Sequence, residues 1–129
     1  MEPPPIEACT SSAEILRFQW LVRQVPMSDD VARKAVALVR ATRPTDPRAS
    51  EEVKKYTRYG ASIRATQFLA LAAKARALSA GRYHVAVEDL AALALPVLRH
   101  RVLSNYQAES DGVSIDQLLT RVIEKELSA

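Results

Sequence analysis

A chain of 129 residues that is 48% hydrophobic is long enough to bury one core, and nothing in it asks for a second domain. Three glycines and 5% aromatics argue against a β sandwich or barrel and for an all-α fold, while a lone cysteine, Cys9, excludes an internal disulfide and fits a reducing compartment. The net charge of +3 is modest and the basic residues are dispersed, so nucleic-acid binding is allowed but not indicated.

Residues 1–11 read as a flexible, Pro-rich lead; Met1-Glu2-Pro3-Pro4-Pro5 is acidic and lacks the apolar segment of a secretory signal. No apolar run approaches the roughly 20 residues of a membrane span, and the expected location is the cytoplasm. Ser11 and Glu14 form a capping-box signature, and Ile15, Phe18, Val22 and Val25 recur at helical spacing, giving a first helix over about 12–25 that Pro26 stops. Trp20 is expected at the edge of the core. Ser28 caps a second helix, with Asp29 and Asp30 at its positive end and Val31, Ala35, Leu38 and Val39 facing inward. Arg43-Pro44-Thr45-Asp46-Pro47 is a loop in which no independent chemistry is evident.

Ser50 caps a short third helix over about 51–58, and Gly60 is expected to use a positive φ to turn the chain. The stretch from Ile63 to about Ala80 then reads as the hub helix, capped by Ser62 and closed by Gly81, with apolar side chains over most of its circumference. Arg64 falls in its first turn, where the macrodipole disfavours a cation by roughly 0.3–1 kcal/mol. Either Arg64 swings into solvent or pairs with a nearby carboxylate such as Glu51 or Glu52, or the free amides and the guanidinium together await an anion such as phosphate.

Beyond Gly81, Tyr83-His84-Val85 favours β structure and is a candidate to pair with Val102-Leu103 as a minimal two-stranded ribbon. Glu88-Asp89 opens a helix over about 87–95, which Pro96 should end or kink. Arg99-His100-Arg101 lacks the ligand clustering that a metal needs and reads as a solvated or inter-subunit basic strip. Gln107 to Gly112 is a polar turn, and Ser114 with Gln117 caps a last helix over about 115–127. The expected fold is a small bundle of about six helices, with every apolar stripe assigned to core packing.

Several of these stretches carry a resemblance. Tyr59-Gly60-Ala61-Ser62-Ile63-Arg64-Ala65, Ala72-Ala73-Lys74-Ala75-Arg76-Ala77-Leu78 and Gly81-Arg82-Tyr83-His84-Val85 resemble the C-terminal helical lid of MoxR-type AAA+ ATPases. Val25-Pro26-Met27-Ser28-Asp29, Leu38-Val39-Arg40-Ala41-Thr42-Arg43-Pro44, Glu88-Asp89-Leu90 and Pro96-Val97-Leu98-Arg99-His100-Arg101 match in the same order, so the similarity runs from about Ser12 to Leu127 and makes residues 12–129 the lid. It implies that Arg64 is the sensor II arginine, contacting the γ-phosphate of ATP, with Gly60, Ala61, Ser62 and Ile63 close to the nucleotide. Two departures stand out: Ile63 occupies a position where the family usually has Pro, and Ala86-Val87 one where Ser or Thr followed by Pro is common, so a preorganised helix start and a side-chain cap are lost.

The resemblance further implies an oligomeric ring that couples ATP binding and hydrolysis to remodelling or maturing client proteins. The implied partners are the AAA+ core of the same protein, neighbouring subunits and von Willebrand factor A-type proteins, and the implied cofactors are ATP and Mg. With glycines only at 60, 81 and 112, the chain has no phosphate-binding loop, and it has no Walker B strand, so no catalysis is expected from it alone. A non-enzymatic basic helical module that binds nucleic acid through Arg82, Arg99, Arg101, Lys74 and Arg76 is the alternative.

Overall fold

Serine caps start four helices at the positions the sequence marks. In a computed structural model describing residues 4–128, Ser11, Ser28, Ser50 and Ser114 accept hydrogen bonds from the backbone amides of Glu14, Val31, Val53 and Gln117. Met1, Glu2 and Pro3 of the Pro-rich lead and Ala129 at the end of the lid segment lie outside the described residues. The elements run α1 (Ser12–Gln24), α2 (Asp29–Ala41), α3 (Glu51–Tyr56), β1 (Thr57–Tyr59), α4 (Ile63–Ser79), α5 (Val87–Leu98), β2 (Leu103–Ser104), α6 (Tyr106–Ser110) and α7 (Ile115–Leu127). The fold is a small helical bundle of the expected class, with seven helices among the described residues instead of about six.

Helices α2, α4, α5 and α7 share one core, in which Leu38, Leu69, Leu90, Leu98, Leu118 and Leu119 are fully buried. Burying a leucine contributes about 1.5–3 kcal/mol, so these six side chains are a principal source of the bundle's stability. Leu69 belongs to a stripe with Ala65, Ala73 and Ala77, spaced by four residues, that forms the inner face of α4. The small alanines let α5 and α2 approach the helix closely.

The hub is not enclosed. Phe68 is 49% and Ile63 73% exposed, and α1 covers only part of the remaining flank. Alanines at 70, 72 and 75 count as apolar in the sequence but tolerate half-burial, which is why most of the circumference reads as apolar. Helix α1 likewise has no buried residue; of the expected stripe Ile15 and Phe18 are 46% and 54% exposed and only Val25, at the helix's C-cap, is in the core, while Trp20 is 60% exposed and not at a core edge.

The ribbon exists with a different partner. β1 pairs antiparallel with β2, Thr57 opposite Ser104 and Tyr59 opposite Leu103, while the Val85 amide donates to the Pro26 carbonyl at 3.2 Å. Thr57 and Tyr59 are strand formers, and their pairing ends the third helix at Tyr56 instead of residue 58. The polar turn holds a short helix, α6, which Asn105 caps by accepting from the Ala108 amide at 3.1 Å. Pro96 does not end α5, which runs on to buried Leu98; proline forgoes a single amide bond, and the Arg99 amide still reaches the Leu95 carbonyl at 2.9 Å.

Candidate functional site

Between Tyr59 at the end of β1 and Ile63 at the start of α4, three residues turn the chain through a corner, and its centre is fastened to the end of α2. The Ala61 amide donates to Thr42 Oγ1 at 3.0 Å, and the Ala61 carbonyl accepts from Arg43 Nε at 2.9 Å. Thr42 is buried, and its hydroxyl donates in turn to the Val39 carbonyl at 2.7 Å. Gly60 does not use a positive φ; among the described glycines only Gly81 (72°) and Gly112 (68°) do. Glycine is needed at 60 for close approach, because a Cβ there would lie 2.5 Å from Arg43 Cα and from the Thr42 carbonyl oxygen.

Arg64, one residue into α4, is exposed and makes no hydrogen bond or ion pair among the described residues. The carboxylates that could have held it are occupied: Glu51 pairs with Lys54 at 2.7 Å and Glu52 with Arg121. Ser62 adopts extended N-cap dihedrals, yet its side chain caps nothing. The start of α4 therefore combines a positive dipole end, no side-chain cap and a free guanidinium, an arrangement suited to an anion with oxygen acceptors. Among the described residues no group of three His, Cys, Asp or Glu side chains could hold a metal ion.

Arg101 of the basic strip stacks on Phe68 at 4.9 Å, one turn beyond Arg64 on the same face of α4. Its guanidinium also donates to the Val97 carbonyl and contacts the His100 ring, whereas Arg99 pairs with Asp116 at 2.8 Å. Arg76 and Arg82 converge on Asp89, whose side chain is fully buried. Arg82 binds both carboxylate oxygens, at 2.9 and 2.6 Å, Arg76 one at 2.6 Å, and the Ala86 amide donates at 2.9 Å. Arg82 above all holds the Asp89 carboxyl far below the usual carboxylate range; burial opposes it, and the Ala86 amide and Arg76 add to it. This cluster bolts the end of α4 to the start of α5, where Ala86 offers no side-chain cap.

Residues 49–122 match the AAA lid domain family, more than half of the chain. This chain is an AAA lid domain. It is 30% identical over 122 residues to the Chaperone MoxR1 of Mycobacterium tuberculosis, a match covering 95% of the lid and 32% of that protein. It superposes on the crystal structure of a "putative ATPase" from Cytophaga hutchinsonii with a TM-score of 0.83 and 33% identity, over 88% of the lid and 34% of that chain. The lid thus spans about a third of the length of these relatives. Similarity to both places it with the lids of MoxR-type AAA+ ATPases.

Within the lid, Gly60, Ala61, Ser62, Ile63 and Arg64 form one corner, as the sequence suggests, but Thr42, Arg43 and the Asp89 cluster are additions from the structure. The first was not legible, because in the sequence Gly60 reads equally as a positive-φ turn or as a close backbone approach, and only the structure decides for the close approach. The signal for the second was Asp89 three residues after Ala86, the returning half of a capping box whose cap residue has no acceptor.

Proposed function

We propose that this lid is the sensor II domain of a MoxR-like AAA+ ATPase, with Arg64 contacting the γ-phosphate of ATP held by the core domain. The observation that carries this reading is an unpaired, exposed arginine on an uncapped helix start, in a lid where neighbouring cations are engaged. Gly60, Ala61, Ser62 and Ile63 border the nucleotide, and the core supplies the phosphate-binding loop and the Mg site missing from this sequence. As charge builds on the transferring phosphoryl group, a planar guanidinium donates to its oxygens and stabilises the transition state more than the ground state. The lid without its core turns over no ATP.

The exposed apolar residues of α1, Ile15, Leu16, Phe18 and Trp20, are covered by the core, since the relatives carry about two further thirds of chain beyond the lid. The protein assembles as a cytoplasmic ring that remodels or matures client proteins, with von Willebrand factor A-type proteins among its partners. Arg99, His100 and Arg101, the last of them stacked on Phe68 of α4, face the neighbouring subunit.

The test is ATP turnover by the lid joined to its core. Arg64→Ala is expected to lower kcat more than ATP affinity, by up to about 10³-fold, and Arg64→Lys to recover only part, because a point charge lacks the two-donor fork. Arg33→Ala, an exposed arginine near the other end of α2, is the control. Equal small effects of Arg64→Ala and Arg33→Ala would show Arg64 to be an ordinary surface residue.

A further inference from the structure

We infer that Thr42 and Arg43, at the end of α2, are positioning residues that aim Arg64, an inference that rests on the sensor reading above. Both backbone polar groups of Ala61 leave their own segment to bond α2's end, the amide to Thr42 Oγ1 and the carbonyl to Arg43 Nε. Gly60 lies against the same two residues so closely that no side chain fits between. Only Ser62 separates this clamp from the first helical residue, Ile63.

Nothing local sets the direction in which α4 leaves the corner. Ser62 makes no cap bond, and Ile63 lacks the fixed φ that proline provides at a first helical position. The entry angle therefore comes from α2. The Thr42 hydroxyl acts as the pin: buried, it donates to Val39 in the last turn of α2 and accepts from Ala61 at the entrance to α4. A tertiary clamp here does the work that a proline and a serine cap do in helices that start on their own. Because a displacement of about 1 Å at a reacting centre can cost on the order of 100-fold, loosening this pin acts on turnover through Arg64.

The test compares kcat and KM for ATP in the lid joined to its core, for Thr42→Val, Thr42→Ser and Arg43→Gln, each with Arg64 present and in an Arg64→Ala background. Thr42→Val keeps the shape and removes the hydroxyl; Thr42→Ser keeps the hydroxyl. If Thr42→Val does not fold, Arg43→Gln, at a half-buried site, carries the test. With Arg64 present, Thr42→Val and Arg43→Gln are expected to lower kcat about 10- to 100-fold with KM changed less than about twofold, and Thr42→Ser to restore most of the loss. In the Arg64→Ala background the same changes should cost nothing further, since residues that act through one another are not additive. Equal losses in both backgrounds, or full turnover by folded Thr42→Val and Arg43→Gln beside a crippled Arg64→Ala, overturns this inference alone. Unchanged turnover in Arg64→Ala overturns the sensor reading and this inference together.

Discussion

Leu69→Ala tests whether α4 organises the bundle. Leu69 is fully buried, and its neighbours one turn either way on the inner face are Ala65 and Ala73, also fully buried. Removing three carbons forfeits about 2.4 kcal/mol of transfer free energy at 0.8 kcal/mol each. Alanines cannot swing in to refill the space, so a cavity penalty adds to this and the total is about 3–5 kcal/mol. In a domain of this size a kilocalorie shifts the melting temperature by about 3–5 °C, so a fall of roughly 10–20 °C follows. Phe68→Ala, one residue along, is the matched control: its ring is 49% exposed and stacks on Arg101, so it should cost only about 1–2 kcal/mol. Thermal unfolding followed by helical circular dichroism reads both. Equal shifts, or a Leu69→Ala shift below that of Phe68→Ala, would mean that the buried face of α4 has been misassigned.

The Asp89 cluster predicts an acid limb. Because the folded-state carboxyl titrates below its unfolded value, its stabilisation is complete above that value and is lost as pH falls below about 4. Asp89→Asn should cost about 3 kcal/mol at neutral pH, moderated because the Arg76 and Arg82 side chains left behind are 43% and 32% exposed, and urea midpoints should show this gap narrowing from pH 5 to 3. A gap constant across that range would show that the carboxylate charge is not what matters. For nucleic acid, the engagement of Arg76, Arg82, Arg99 and Arg101 predicts duplex DNA binding weaker than about 10⁻⁴ M with a shallow salt slope, measured by fluorescence anisotropy. Micromolar binding with a steep slope would instead support the basic-module reading.

Helix boundaries were legible wherever a serine stood free to cap. Ser11, Ser28, Ser50 and Ser114 act as read, and the residue patterns behind them give α1, α2, α3 and α7 close to their observed limits. Ser62 also marks the start of α4, at Ile63, but its side chain makes no cap bond, because there the corner is tied to the end of α2. The ribbon was misread for a similar reason: Tyr83-Val85 and Thr57-Tyr59 are equally suited to a strand, and only the tertiary position of Leu103 decides between them. Stripes of Ile, Phe and Val mark a buried face only if a partner is present, which is why α1 looked like core.

The two features hidden from the sequence share one consequence for α4. Its entrance is pinned to α2 by the Thr42 and Arg43 bonds, its exit to α5 by the Asp89 bonds, and its middle to both by the Leu69 stripe. A helix held at both ends and along one face cannot tilt independently of its neighbours, so α2, α4 and α5 move as one body. Arg64 stands at the end of that body with no bond of its own to limit it. On the proposed sensor reading, a shift of that body carries the root of the Arg64 side chain toward or away from the nucleotide. If Arg64 contacts the γ-phosphate as proposed, such coupling needs no flexible relay within the lid, only the difference in contacts that Arg64 makes before and after that phosphate leaves.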